Sequence, residues 1–144
     1  MFSDLQVRRL TEEADIQMSE LTQGAKAIVI LNVASIWGET PHYGQYQEMY
    51  NAHKERGLLI IAVPCNQFGS EEPWPEAEIA QFVSGTYGVT FPILNKQDVK
   101  GDSISPLYSY LKGKAPENEP AWNFAKYLLD GSGNVVKFYV HNTV

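Results

Sequence analysis

Two apolar runs rich in β-branched residues, "AIVILNVA" at 27–34 and "LLIIAVP" at 58–64, leave this chain few folds to choose from. Neither alternates between apolar and polar residues, so each reads as a strand buried on both faces, as in a parallel sheet covered by helices. Both fall well short of the roughly 20 residues that span a bilayer. Between them, "PHYGQYQEMYNAHKERG" predicts a helix. Pro41 sits in its first turn, Tyr46, Met49, Tyr50 and His53 form its inward stripe, and Gly57 stops it at the C′ position. Strand, helix and strand in that order predict a right-handed βαβ unit with the first strand central.

The remaining segments fill out one α/β domain over residues 1–144, a central mixed β-sheet flanked by helices. "FSDLQVRRL" alternates weakly and reads as a peripheral strand, and "ADIQMSEL" as a short edge or turn segment. "CNQFGSEEPWP" is rich in turn formers and follows the second buried run as a loop. Pro75 opens another helix with Ile79, Phe82 and Val83 as its core face, and "SPLYSYLKGK" gives a further short helix. The tail "FAKYLLDGSGNVVKFYV" is two runs around "DGSG", a β-hairpin. A chain of 144 residues can bury a sufficient core without disulfides.

A net charge of −6 opposes binding to phosphate backbones or anionic lipid surfaces. The first fifteen residues carry charges among few apolar side chains and lack the apolar stretch of a secretory signal, so the cytoplasm is the expected location. Cys65 is the only cysteine, which rules out an intrachain disulfide. His42 and His53 fall on a similar helix face about 16 Å apart and cannot share a metal ion. Neither a metal nor another cofactor is expected. Glu71, Glu72, Glu117 and Glu119 read as solvated loop charges.

In open α/β sheets, chemistry collects beyond the carboxyl ends of the strands. Two such ends, 35–40 and 65–69, should be neighbours. A group at 36–38 would face the positive end of the following helix, where a thiolate or selenolate is favoured. The occupant is Trp37, whose indole has no nucleophilic chemistry.

In order and spacing, "NVAS-x-x-G", "GLLIIAVPCNQFGSEEP", "FP", "DVKG", "PLYSYLK" and "WNFAKYLLDGSGNVVKFY" resemble the glutathione peroxidase family from about residue 26 to residue 139. The resemblance implies a thioredoxin-like fold. It also implies reduction of hydroperoxides by a cysteine or selenocysteine two residues after the serine of "NVAS", the position held here by Trp37. The matching supporting residues are Gln67, Trp122 and Asn123. An amide, an indole N–H and a second amide are donors without charge, suited to an anionic chalcogen and to the alkoxide that leaves when the O–O bond breaks. Family members with an intact nucleophile also carry the cysteine of "PCNQFG", so Cys65 reads as buried and inert. Ser84 stands where thioredoxin-using members carry a resolving cysteine, which implies glutathione or another small thiol as co-substrate.

Three origins of Trp37 remain open. The tryptophan codon differs by one base from those of cysteine and from UGA, so a selenocysteine position read as tryptophan is one. A deliberate substitution is the second, and a natural non-catalytic pseudoperoxidase acting as a thioredoxin-fold interaction protein is the third. The short "GKAPENEPA", where tetrameric members have a longer loop, implies a monomer of the branch that accepts phospholipid hydroperoxides. After "YVHNTV" the family continues into a final helix, which this sequence is expected to lack.

Overall fold

The computed structural model describes residues 2–9, 14–33, 42–65, 90–95, 97–99, 101, 104–114 and 125–139. The chain enters through a 3-10 turn at Phe2–Asp4, then strand β1 (Gln6–Val7), strand β2 (Ile16–Gln17) and the single-turn helix α1 (Met18–Leu21). The peripheral strand expected over the first ten residues is therefore two residues long, paired antiparallel with β2. Burial of Phe2 explains the shortening. The turn carries its ring inward to 5.5 Å from that of Tyr110, leaving it 3% exposed, and an extended chain would leave that large apolar side chain at the surface.

The two apolar runs form strands β3 (Ala27–Val33) and β4 (Leu58–Pro64), joined by a segment that includes helix α2 (His42–His53). Helix α3 (Pro106–Lys114) precedes the hairpin of β5 (Lys126–Asp130) and β6 (Val135–Tyr139). The sheet order is β4-β3-β5-β6. The β3–β4 pair is parallel and the other two are antiparallel, a mixed sheet with β3 inside as expected. Successive side chains of β3 enter two separate cores. Ile28 and Ile30 join Ile61, Val63, Leu107, Tyr108, Leu111 and Tyr127 on the α3 side. Leu31 and Val33 join Ile60, Ala62, Tyr46 and Phe91 on the α2 side. Both faces of the strand are buried, which is why its sequence shows no polar alternation.

Helix α2 departs from its expected stripe at one end. Tyr46 is buried and Met49 and Tyr50 are half-buried, but His53 is exposed. A 3-10 turn, Lys54–Arg56, follows the helix before Gly57 takes the left-handed conformation (φ +102) and donates its N–H to the Lys54 carbonyl at 3.1 Å. The glycine thus ends that turn rather than α2 itself, and the polar stretch 51–56 stays in solvent with His53 in it. Gln47 is buried instead. Its Oε1 accepts the Thr90 N–H at 2.7 Å, and its Nε2 donates to Thr90 Oγ1 at 2.7 Å and to Asn51 Oδ1 at 2.9 Å. Phe91 then packs edge-on against Tyr50 with centroids 5.9 Å apart. The chain next runs beside β4, where Ala62 donates to the Pro92 carbonyl (3.0 Å) and Leu94 donates to that of Ala62 (2.9 Å).

At the hairpin turn the Asp130 carboxylate accepts the N–H groups of Asn134 (3.0 Å) and Ser132 (2.9 Å) and the Asn134 side-chain amide (3.1 Å). These bonds, those of Asn134 foremost, hold its carboxyl below the usual carboxylate range. Gly133 has φ +89, and a Cβ there would lie 2.5 Å from Cβ and Cγ of Phe2. Gly133→Ala should destabilise the protein by about 2–4 kcal/mol, combining left-handed strain with overpacking. Urea unfolding measures this, and a change under about 0.5 kcal/mol would show that Phe2 does not seat against the turn.

Candidate active site

Three strand ends meet at one edge of the sheet. Where β3 finishes, the Val33 carbonyl accepts the N–H of Cys65, the residue after β4, at 3.0 Å. Because β5 runs antiparallel to β3, its beginning lies at the same edge, and Asn32 donates its N–H to the Ala125 carbonyl at 3.2 Å. Gln97 donates to the Pro64 carbonyl at 2.9 Å, bringing a fourth stretch of chain alongside. Segment 34–41 leaves from this edge, 66–89 begins there, and 115–124 leads into it. Trp37, Gln67, Trp122 and Asn123 belong to those segments and lie outside the described residues, as do Ser84, Glu71, Glu72, Glu117 and Glu119. The structure brings together the strand ends that carry the sequence-predicted residues.

Beneath the edge, on the α3 side, Cys65 is fully buried. That matches its reading as an inert thiol, since a thiol closed off from water meets neither peroxide nor reductant. Tyr108 lies in the same core and is also fully buried, its ring 6.2 Å from that of Tyr127 in an edge-on contact. Burial first, then Cys65 and Tyr127, push the Tyr108 phenol well above its usual value. Its hydroxyl has no hydrogen-bond partner among the described residues. Asn32 is buried within β3. On the α2 side Lys126 is 4% exposed, its Nζ 5.2 Å from the centre of the Tyr46 ring, a cation–π contact.

Gln47, Tyr108, Asn32 and Lys126 were not singled out from the sequence. Asn32 and Lys126 carried a signal, one polar residue inside each of "AIVILNVA" and "FAKYLL". Gln47 and Tyr108 carried none, because their roles depend on distant partners. Among the described residues no group of three His, Cys, Asp or Glu side chains is placed to hold a metal, and no helix is long and apolar enough to cross a membrane. A groove of about 560 Å³, lined by Arg8, Asp15, Asn95, Gln97 and Ser105 among others, runs between the N-terminal strands and the start of α3. It holds no thiol.

Tyr108→Phe should leave the thermal midpoint unchanged or raise it, since it deletes a buried hydroxyl without a described partner. The phenol is raised in the folded state, so its contribution is intact below about pH 10 and is lost as pH rises past the unfolded value. The alkaline decline in stability should therefore be shallower in Tyr108→Phe than in the parent. A clearly lowered midpoint at pH 7 would place a partner for the hydroxyl in a segment outside the described residues.

The glutathione peroxidase family profile matches residues 2–112. The glutathione peroxidase-like peroxiredoxin GPX5 of Chlamydomonas reinhardtii is 46% identical over 114 residues, covering 77% of this chain and 70% of that protein. Among solved structures, the crystal structure of Trgpx in apo form superposes with a TM-score of 0.76 at 30% identity, covering 99% of this chain and 86% of the other. Thioredoxin from Wuchereria bancrofti shares the fold, with a TM-score of 0.64 at 13% identity over 99% of this chain and 84% of its own. A sheet and two helix-lined cores of this arrangement, with those similarities, make the chain a member of the glutathione peroxidase family of peroxide-reducing oxidoreductases, on a thioredoxin-like fold.

Proposed function

We propose that this domain is a scaffold for thiol-dependent hydroperoxide reduction in which Trp37 occupies the place of the peroxidatic cysteine or selenocysteine, so that the present sequence is catalytically weak or silent. The observation that carries the reading is the meeting of three strand ends at one sheet edge through backbone hydrogen bonds, Cys65 to Val33 at 3.0 Å and Asn32 to Ala125 at 3.2 Å. Trp37 follows Val33 by four residues, Gln67 follows Cys65 by two, and Asn123 precedes Ala125 by two. At no more than about 3.6 Å per residue, the tethers keep Gln67 and Asn123 within about 7 Å of their anchors and Trp37 within about 14 Å. Covalent reach therefore supports a common pocket for Trp37, Gln67, Trp122 and Asn123.

With a thiolate or selenolate at position 37, the chalcogen attacks the distal oxygen of the hydroperoxide and the O–O bond breaks. The alkoxide leaves as an alcohol after taking a proton, and the chalcogen becomes a sulfenic or selenenic acid. One small thiol condenses with that acid, releasing water, and a second reduces the mixed product, leaving a disulfide and the restored nucleophile. The amides of Gln67 and Asn123 and the indole N–H of Trp122 hold the anionic forms in this reading. Glutathione is the preferred reductant, since Ser84 supplies no thiol and Cys65 is buried. The reading extends to a monomeric, cytoplasmic protein of the phospholipid-hydroperoxide branch on the short loop 113–121, although the −6 charge argues against a lasting hold on anionic membranes. A natural non-catalytic interaction protein is the second reading, favoured by Trp37 itself.

Trp37→Cys separates the two. The introduced thiol gains the amino end of α2 and up to three donors, so its pKa should fall below the ordinary value of about 8.5. One equivalent of hydrogen peroxide should add one oxygen to that thiol by mass spectrometry, and glutathione should clear it where thioredoxin does not. If the folded variant consumes peroxide no faster than the parent, the non-catalytic reading stands.

A further inference from the structure

Helix α2 begins five residues after position 37, and segment 66–89, which carries Gln67, returns to the described fold at Thr90. Among the described residues, the Gln47 side chain joins the two by hydrogen bonds. Gln47 lies in the first half of α2, 7% exposed, and every polar atom of its amide is used. Its carbonyl oxygen accepts the Thr90 N–H (2.7 Å), and its NH₂ donates to Thr90 Oγ1 (2.7 Å) and Asn51 Oδ1 (2.9 Å). The orientation of the amide is fixed, because a backbone N–H can only donate. The packing of Tyr46 in the core and of Tyr50 against Phe91 sets distance more than direction. Thr90 cannot drift either, since Pro92 and Leu94 are hydrogen-bonded on both sides of Ala62 in β4.

We propose that Gln47 is a positioning residue for the peroxidatic site, locking helix α2, and so its amino end, in a fixed orientation to the sheet edge and to the returning end of the Gln67 segment. The lock is a bidentate amide clamp across 43 positions of sequence. Gln47 is the sixth residue of α2, about 8 Å along the axis from the first. A small rotation there swings the N–H groups at the amino end of the helix. The proposal rests on the reading of position 37 as the reactive one.

The test uses the Trp37→Cys protein and three additions to it, Gln47→Leu, Thr90→Val and Thr90→Ser. Alkylation by iodoacetamide is followed against pH and assigned to position 37 by mass spectrometry, with circular dichroism confirming the fold. None of the additions changes a charge, so Glu48 on α2 and Lys126 beneath Tyr46 are common to all. Gln47→Leu should lower the thiolate fraction at pH 7 by about threefold or more, the scale of a helix-terminus effect. Thr90→Val keeps the shape and the N–H but loses the hydroxyl acceptor, and should shift the profile the same way by less. Thr90→Ser should match the Trp37→Cys parent. Should Gln47→Leu fail to fold, the Val and Ser pair decides, because a packing role predicts that the more apolar valine is harmless. A lowered parent value shared by all the variants would overturn the role of Gln47 alone. A parent that titrates like a free thiol would overturn the reading of position 37, and this inference with it.

Discussion

Strand β3 is hydrogen-bonded along both edges and buried on both faces, and the placement of every other element near the site follows from that. Its parallel pairing with β4 runs without a break from Ala27–Leu58 to Val33–Pro64, and its antiparallel pairing with β5 from Ala27–Asp130 to Leu31–Lys126. A strand held this way cannot slip by one residue without turning Ile28 and Ile30 out of one core and Leu31 and Val33 out of the other. Full burial of such a side chain contributes about 1.5–3 kcal/mol, so the register is held by several times the cost of breaking one hydrogen bond. The carboxyl edge is therefore a fixed platform, and the segments that leave it start from set points.

Much of this was legible in the sequence, because the signal was local. A continuous β-branched run has one stable home in a protein of this size, and "DGSG" between two apolar stretches marks a hairpin whatever surrounds it. The features that escaped depend on contacts distant along the chain. His53 matched the helical period but sits where α2 gives way to a 3-10 turn, and periodicity carries no information on where a helix leaves its sheet. Gln47 lay outside the predicted stripe and announced no partner, because Thr90 is 43 positions away. The N-terminal strand shortened for the sake of Phe2, whose place is made by Tyr110 and Gly133. For the site, the family resemblance named four residues, and the fold supplies the strand ends from which three of the segments depart.

The two faces of the sheet treat polar groups differently near that edge. On the α3 side the polar groups among the described residues include Asn32, Cys65 and the phenols of Tyr108 and Tyr127, all buried. On the α2 side the buried cation Lys126 lies against the Tyr46 ring, three residues past Asn123. Burial raises the cost of charging the Tyr108 phenol, which makes this side a poor place for negative charge. The α2 side offers the helix amino end, which favours an anion. The fold thus separates a side where negative charge is costly from a side where it is welcome.

That asymmetry bears on a tryptophan at position 37. On the reading proposed above, the residues around it are donors selected for an anion, and an indole offers no anion and one further N–H. The amides of Gln67 and Asn123 can meet an indole by rotating their carbonyl oxygens toward it, an exchange that leaves each amide satisfied. Trp122 has no such alternative, because its ring nitrogen only donates. On that reading a neutral aromatic at position 37 conflicts chiefly with Trp122 and does not supply the anion that the amino end of α2 favours. On that reading both conflicts are small beside the burial that holds β3, so the fold can carry a tryptophan in place of the nucleophile. The platform draws its strength from the two cores built on β3, so on this reading stability and reactivity are separable.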